Sequence, residues 1–313
     1  MGSSLMAGRT GENDKGFWEQ EEIVVTHERL LKEMGYSWDD PGLLPDRWWE
    51  TGHSQKYIDE ICRVIEADIG SASFWALKDP RMCRLLPLWQ QVFARLGVKP
   101  LYLHIFRNPL EVAASLQHRD EIPRPLALLL WFQHNLEAVQ NSAGSPRRFL
   151  TFPQLLDHGE SRLLHIFQEW ELSAYVKGVT DDPDESPFLN SLLRHHQVPD
   201  SELMTDQDVP HLVKDLYQIL LEAAASGKEP ASEKLDHIVQ QYQQATSLLM
   251  PWTGLSDQLR ALLEKRDARI AELAPALKDA QHYVRARERD IEELNRQIEA
   301  LGETIKTLQM NSN

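Results

Sequence analysis

Cysteine is scarce: Cys62 and Cys83 are the only two in 313 residues. Neither belongs to a CxxC pair, and their sequence neighbours are apolar or basic. That pattern argues for free thiols in a reducing compartment and against a disulfide framework. There is no HExxH, and the adjacent His195 and His196 would point in different directions on a helix, so no metal is expected. No apolar run has transmembrane length. The leader "MGSSLMAGRTGENDKG" lacks a basic end followed by an apolar stretch, so it does not read as a signal peptide. Met6 stands where a myristoylation signal needs Ser or Thr. The expectation is a cytoplasmic protein without a membrane span. Positive charge is also short, with 33 Lys and Arg against 48 Asp and Glu and a net charge of -15. A nucleic-acid partner is therefore not expected, because backbone phosphates demand a basic face. One local basic pocket remains compatible with that total. Lastly, no glycine-rich phosphate loop precedes either of the two charged turns considered below.

What is present suffices for one ordinary core, since 42% of residues are hydrophobic. Residues 19–34 are helical in pattern, with Ile23, Val24, His27, Leu30 and Leu31 on one face. Pro41 and Pro45 break the loop that follows, and a second helix runs near 55–67. "SFWAL" (73–77), "LYLHIF" (101–106) and "RFLTF" (148–152) read as strands. Asn108 and Pro109 form a cap and first turn for a helix. "LALLLWFQHNLEAVQ" and "SRLLHIFQEWEL" are further helices. Strands alternating with helices predict an α/β fold with a parallel sheet covered on both faces. A linker rich in Asp, Pro and Ser fills 174–200, and 208–249 is helical again.

From Leu259 the apolar positions step by alternating fours and threes, most cleanly at Ile291, Leu294, Ile298, Leu301, Ile305 and Leu308. Ile at a and Leu at d favours a parallel two-stranded coiled coil, hence a homodimer. Pro275 is expected to interrupt the earlier half, and Arg266, Ala280 and Arg287 weaken its d positions. The alternative is a single helix folded back on the domain. The division expected is an α/β domain over 1–254 and a coiled coil over 255–313.

Three stretches could carry chemistry. In "LYLHIFRNPLEVAASL" a strand ends at Phe106, Arg107 follows, and a helix begins at Pro109. Ligands of open α/β sheets bind outside such strand ends, where a helix N-terminus offers N–H groups and Arg offers a phosphate-matching fork. Ser115, about two turns into that helix, can add a hydroxyl. For Arg107 and Ser115 alone, a capped strand turn and a tolerated helical serine are the simpler readings. "KDPRMCRLLPLW" places Lys78, Asp79 and Arg81 after a strand, either to neutralise charge on a transferring group or as a local ion pair. In "NDKGFWEQEE" Glu19 opens a helix beside aromatics, as a general base or as an ordinary first-turn acid.

Taken in order, "NDKGFWE" (13–19), "KDPRMCRLLPLW" (78–89) and "RNPLEVAASLQHR" (107–119) resemble the bacterial sulfotransferases that use 3′-phosphoadenosine 5′-phosphosulfate, over roughly residues 5–200. "FLNSLLRHH" is similar to a later segment of that family. The resemblance implies a P-loop-like three-layer fold with a central parallel sheet, followed by a helical region and the C-terminal coiled coil. It implies sulfuryl transfer to a hydroxyl or amine of a small-molecule or glycan acceptor, without a metal. It gives Arg107 and Ser115 the donor's 3′-phosphate, Lys78 the sulfuryl group in flight, Glu19 the acceptor proton, with His27 the alternative base, and Arg194 a further ligand role. The family's 5′-phosphosulfate loop precedes its Glu by about 25 residues, whereas 18 residues precede Glu19. The expectations are thus a sheet lacking its first strand and codons upstream of Met1 that encode it. The competing outcome is a start at Met1 and a catalytically inactive, dimeric scaffold.

Overall fold

The computed structural model describes residues 4–7, 17–70, 72–175 and 197–310, without side chains at 158, 160, 248–261, 264 and 304–310. The chain divides into two compact units, Met1–Gln244 and Ala245–Asn313.

The first unit is mostly helical around a small parallel sheet. Helix α1 (Glu21–Glu33) starts where the Gln20 side chain accepts a hydrogen bond from the Ile23 N–H. Helix α2 (Gly52–Asp68) starts from Thr51 in the same way. Helix α3 (Met82–Leu96) stops at Gly97, whose φ of 66° suits a residue without Cβ. These three helices enclose one core, in which Ile23, Tyr57, Ile61, Leu85 and Trp89 are almost fully buried.

Strand β1 (Tyr102–Phe106) leads into α4 (Pro109–Asp120) and α5 (Arg124–Asn141), and β2 (Arg147–Thr151) returns parallel to it. Asn108 caps α4 through the Leu110 N–H, and Pro109 fills the first turn where its missing N–H has no bond to lose. Helix α6 (Phe152–Glu169) follows β2 at once, through a capping box between Thr151 and Gln154. Helices α7 (Asp200–Thr205) and α8 (His211–Ser226) follow, and then α9 (Ser232–Met310). The first turns of α9 close the second core, with Ile238 beside α5 and α8 side chains.

The expected strand over 73–77 does not form; those residues are irregular. A strand persists only where its N–H and C=O groups find a ladder. Among the described residues the sheet has two strands rather than the larger central sheet expected. The Tyr102 N–H donates to Pro146 O at 3.0 Å. In a parallel ladder that geometry turns the main-chain groups of Tyr102, His104 and Phe106 toward β2, and those of Leu103 and Ile105 away from it. The Ile105 side chain is 46% exposed.

In the second unit α9 continues through Pro275, where an interruption was expected. One proline deletes a single backbone hydrogen bond, and the turns on either side keep theirs. No helix of the described residues is long and apolar enough to cross a membrane.

Candidate functional site

Glu19 does not open α1 as expected; it lies two residues ahead of it in an extended segment. Met6 N–H donates to Glu19 O at 2.8 Å and Glu21 N–H to Ser4 O at 3.0 Å, so a short antiparallel bridge pins its backbone. Trp18 takes a positive φ of 58°, a conformation uncommon for a bulky side chain. The result is a carboxylate only 5% exposed.

The charged turn before α3 meets it there. Lys78 Nζ lies 2.6 Å from Glu19 Oε1 and also donates to Phe17 O at 3.1 Å. Arg81 Nη1 lies 3.3 Å from Glu19 Oε2, and Arg81 Nη2 lies 2.7 Å from Glu28 Oε1 on α1. Thus both oxygens of Glu19 face a cation. The two cations differ in freedom: the Lys78 side chain is 50% exposed, the Arg81 side chain 15%.

Asp79 fixes Arg81. Its Oδ1 accepts from the Arg81 backbone N–H at 2.8 Å and from Nη1 at 3.1 Å, the local ion pair that the sequence suggested. Its Oδ2 lies 2.7 Å from His27 Nδ1. On the far side of that ring Trp89 Nε1 donates to His27 Nε2 at 2.9 Å. An indole N–H can only donate, so Nε2 must accept, and the ring is the neutral tautomer with its proton on Nδ1. His27 is fully buried and both its nitrogens are committed, which removes it as the alternative base. Sequence reasoning placed His27 on the buried face of α1; its partner Trp89 lies 62 residues away.

Burial would raise the Asp79 carboxyl, but the His27 hydrogen bond and the Arg81 charge outweigh it and hold the group at about 2. A depressed carboxylate stabilises the fold above its ordinary pKa, and that stabilisation drains away as pH falls toward the folded value. The stability advantage of wild type over Asp79→Asn should therefore shrink by about 1 kcal/mol between about pH 5 and about pH 3. Urea unfolding at both pH values measures it; a constant difference would mean that Asp79 is not held ionised by this network.

Arg107 and Ser115 occupy the turn after β1 and the middle of α4. Arg107 Nε lies 2.7 Å from Oε2 of Glu111, a fully buried carboxylate whose Oε1 accepts from the Val198 N–H at 3.0 Å. The guanidinium also stands 5.0 Å over the Phe152 ring, and its residue's carbonyl accepts from Trp131 Nε1 at 2.9 Å. Glu111 was not singled out from the sequence, although its position four residues after Arg107 on a helix was a usable signal. Ser115 is half-buried one turn beyond Glu111. The structure thus brings Glu19 and Lys78 together, and sets Arg107 just before the helix that carries Ser115. Arg194 lies outside the described residues. Cys62 and Cys83 are free, with the Cys83 thiol pushed up to about 12 by burial. No cluster of three or more His, Cys, Asp or Glu among the described residues could hold a metal ion.

No protein-family model matches the chain, and neither do curated proteins or solved structures.

Proposed function

We propose that the chain has a P-loop-like sulfotransferase framework and moves a sulfuryl group from 3′-phosphoadenosine 5′-phosphosulfate to a hydroxyl or amine of a small-molecule or glycan acceptor. One observation carries the reading: Glu19 and Lys78, 59 residues apart, meet at 2.6 Å between the start of α1 and the turn before α3. A base and a mobile cation side by side are what in-line sulfuryl transfer needs. In this reading the donor's sulfuryl oxygens draw the half-exposed Lys78 away from Glu19. Glu19 Oε1 then takes the acceptor's proton as the new O–S bond forms. The S–O bond to the 5′-phosphate breaks, and Lys78 stabilises charge on the leaving oxygen. Arg81, anchored by Asp79 and Glu28, keeps Glu19 in place throughout.

For the 3′-phosphate, Arg107, Ser115 and the N-terminus of α4 supply a cation, a hydroxyl and oriented N–H groups in one stretch. A second reading is an inactive scaffold dimerised through its C-terminal helix. It is favoured by the partners already present, since Glu111 occupies Arg107 Nε and both Glu19 oxygens are paired.

Calorimetric titration with adenosine 3′,5′-bisphosphate separates the two. Arg107→Ala is unsuitable, because it strands the buried Glu111 carboxylate at a cost of about 3–5 kcal/mol. Arg107→Lys keeps the charge and loses the fork. The intact chain should bind the bisphosphate, and Arg107→Lys should weaken it by about 1.5–3 kcal/mol, the range of one charge-assisted contact. Equal affinity in the variant would remove the Arg107 assignment, and no binding by the intact chain would leave the scaffold reading.

A further inference from the structure

We infer that the C-terminal helix pairs in parallel and in register with the same helix of a second copy, and that two arginines in its seam select this arrangement. The inference stands apart from the transfer reading: a chain that transfers nothing would pair in the same way.

The a positions Leu263, Ile270, Leu277, Val284, Ile291 and Ile298 repeat every seven residues, and all are between 49% and 65% exposed. Leu273, Leu294 and Leu301 at d are exposed to a similar degree. The sequence continues the pattern at Ile305 and Leu308. A strict seven-residue repeat drifts by about 20° per heptad on a straight helix and comes into line only when two helices supercoil. It therefore fits a partner helix better than a flat domain surface. Nine side chains exposing on the order of 100 Å² each supply about the 800 Å² per partner that a stable interface buries.

The occupant is identified by charge. Arg266 and Arg287 hold d positions, and each is followed at e by an acid, Asp267 and Glu288. In a parallel, in-register pair a d side chain lies beside the e residue of the other helix at the same level. Arg266 then meets Asp267 of the second copy, and Arg287 meets Glu288. Sliding one helix by a heptad sets Arg287 beside Gln281 or Asn295 and loses the match. Antiparallel pairing sets both arginines against apolar a residues. Within a single copy Arg266 Nη2 bonds its own Asp267 at 2.8 Å. Arg287 leans on the Tyr283 hydroxyl at 3.1 Å and reaches Asp290 at 3.4 Å. Glu288 makes no ion pair among the described residues. The acid that the second copy's Arg287 needs is thus uncommitted.

Sedimentation of the full chain tests the pairing. Wild type should be dimeric at about 10–50 µM, a range that even micromolar affinity satisfies. Arg287→Glu and Glu288→Arg should each dimerise at least about tenfold more weakly, through like charges across the seam. Mixing the two variants should restore a heterodimer to within a few-fold of wild-type affinity. A parallel register also places Leu294→Cys against its counterpart, so oxidation should link most of that variant as a dimer. A monomeric wild type overturns the inference. So does a mixture no tighter than its components. Failure of the Leu294→Cys variant to cross-link overturns it too, and would indicate antiparallel pairing or a different partner.

Discussion

Glu19→Gln is expected to lower sulfuryl transfer by about 10²–10⁴-fold, the usual weight of a general base. Binding of adenosine 3′,5′-bisphosphate should stay within a few-fold of wild type. Glutamine has the size and shape of glutamate but cannot take a proton. Its amide oxygen can still accept from one cation, so Lys78 or Arg81 keeps a partner and the segment stays in place. The two readouts separate chemistry from folding, because a collapsed site would lose ligand as well as rate. Turnover near that of wild type would show that Glu19 is structural. The remaining base would then have to be a residue other than His27, since Trp89 and Asp79 hold both its nitrogens.

The second large effect concerns acid. Burial, aided by the Arg147 charge, pushes His104 down to about 4. Burial and the Arg84 charge do the same to His134, against the hydrogen bond to Leu130 O. The His104 ring stacks on Phe149 at 4.7 Å and pairs with Ser142 Oγ at 3.0 Å, so both environments favour a neutral imidazole. A histidine with a lowered folded pKa contributes stability above its ordinary 6.5. The unfolded chain takes up the proton first as pH falls, and the contribution disappears between about 6.5 and about 4. Between about pH 7 and about pH 5 the two should together remove roughly 2–4 kcal/mol, allowing for their partial exposure. That is a large part of the usual 5–15 kcal/mol of a domain. Chemical denaturation of wild type and of a double variant, His104→Gln with His134→Gln, tests it. The variant's stability should vary much less over that interval; parallel curves would assign the acid sensitivity to other groups.

The contrast between α4 and residues 73–77 shows what the sequence could convey. Asn108 and Pro109 mark the start of α4 within three residues, because a cap is a local bond. "SFWAL" has the composition of a strand, but strand formation depends on a neighbour that composition does not specify. The run "LYLHIF" read as a strand and became β1, and β2 gave it one partner. In the site, Asp79 and Arg81 were legible as a local pair two residues apart. Glu19 and Lys78 were each legible as candidates in their own stretches, but their joint roles came only from the resemblance, and no periodicity links residues 59 apart. The Trp89–His27–Asp79 chain joins α1, α3 and the turn between α2 and α3, so it depends on how the helices pack. Glu111 was within reach, one helical turn from Arg107, but a buried acid at that spacing looks like any solvated helix residue.

The outward side of β1 carries a further consequence. Among the described residues, Leu103 and Ile105 turn two N–H donors and two C=O acceptors away from β2 at alternate positions, and Ile105 is 46% exposed. Such an edge works as a template: it specifies the direction and spacing of any strand that joins it, but not the chain from which that strand comes. Backbone groups alone would accept a segment of the same polypeptide, an inhibitory peptide or an unfolded neighbour. Discrimination among them would rest with the side chains along that edge, of which Ile105 is the exposed one.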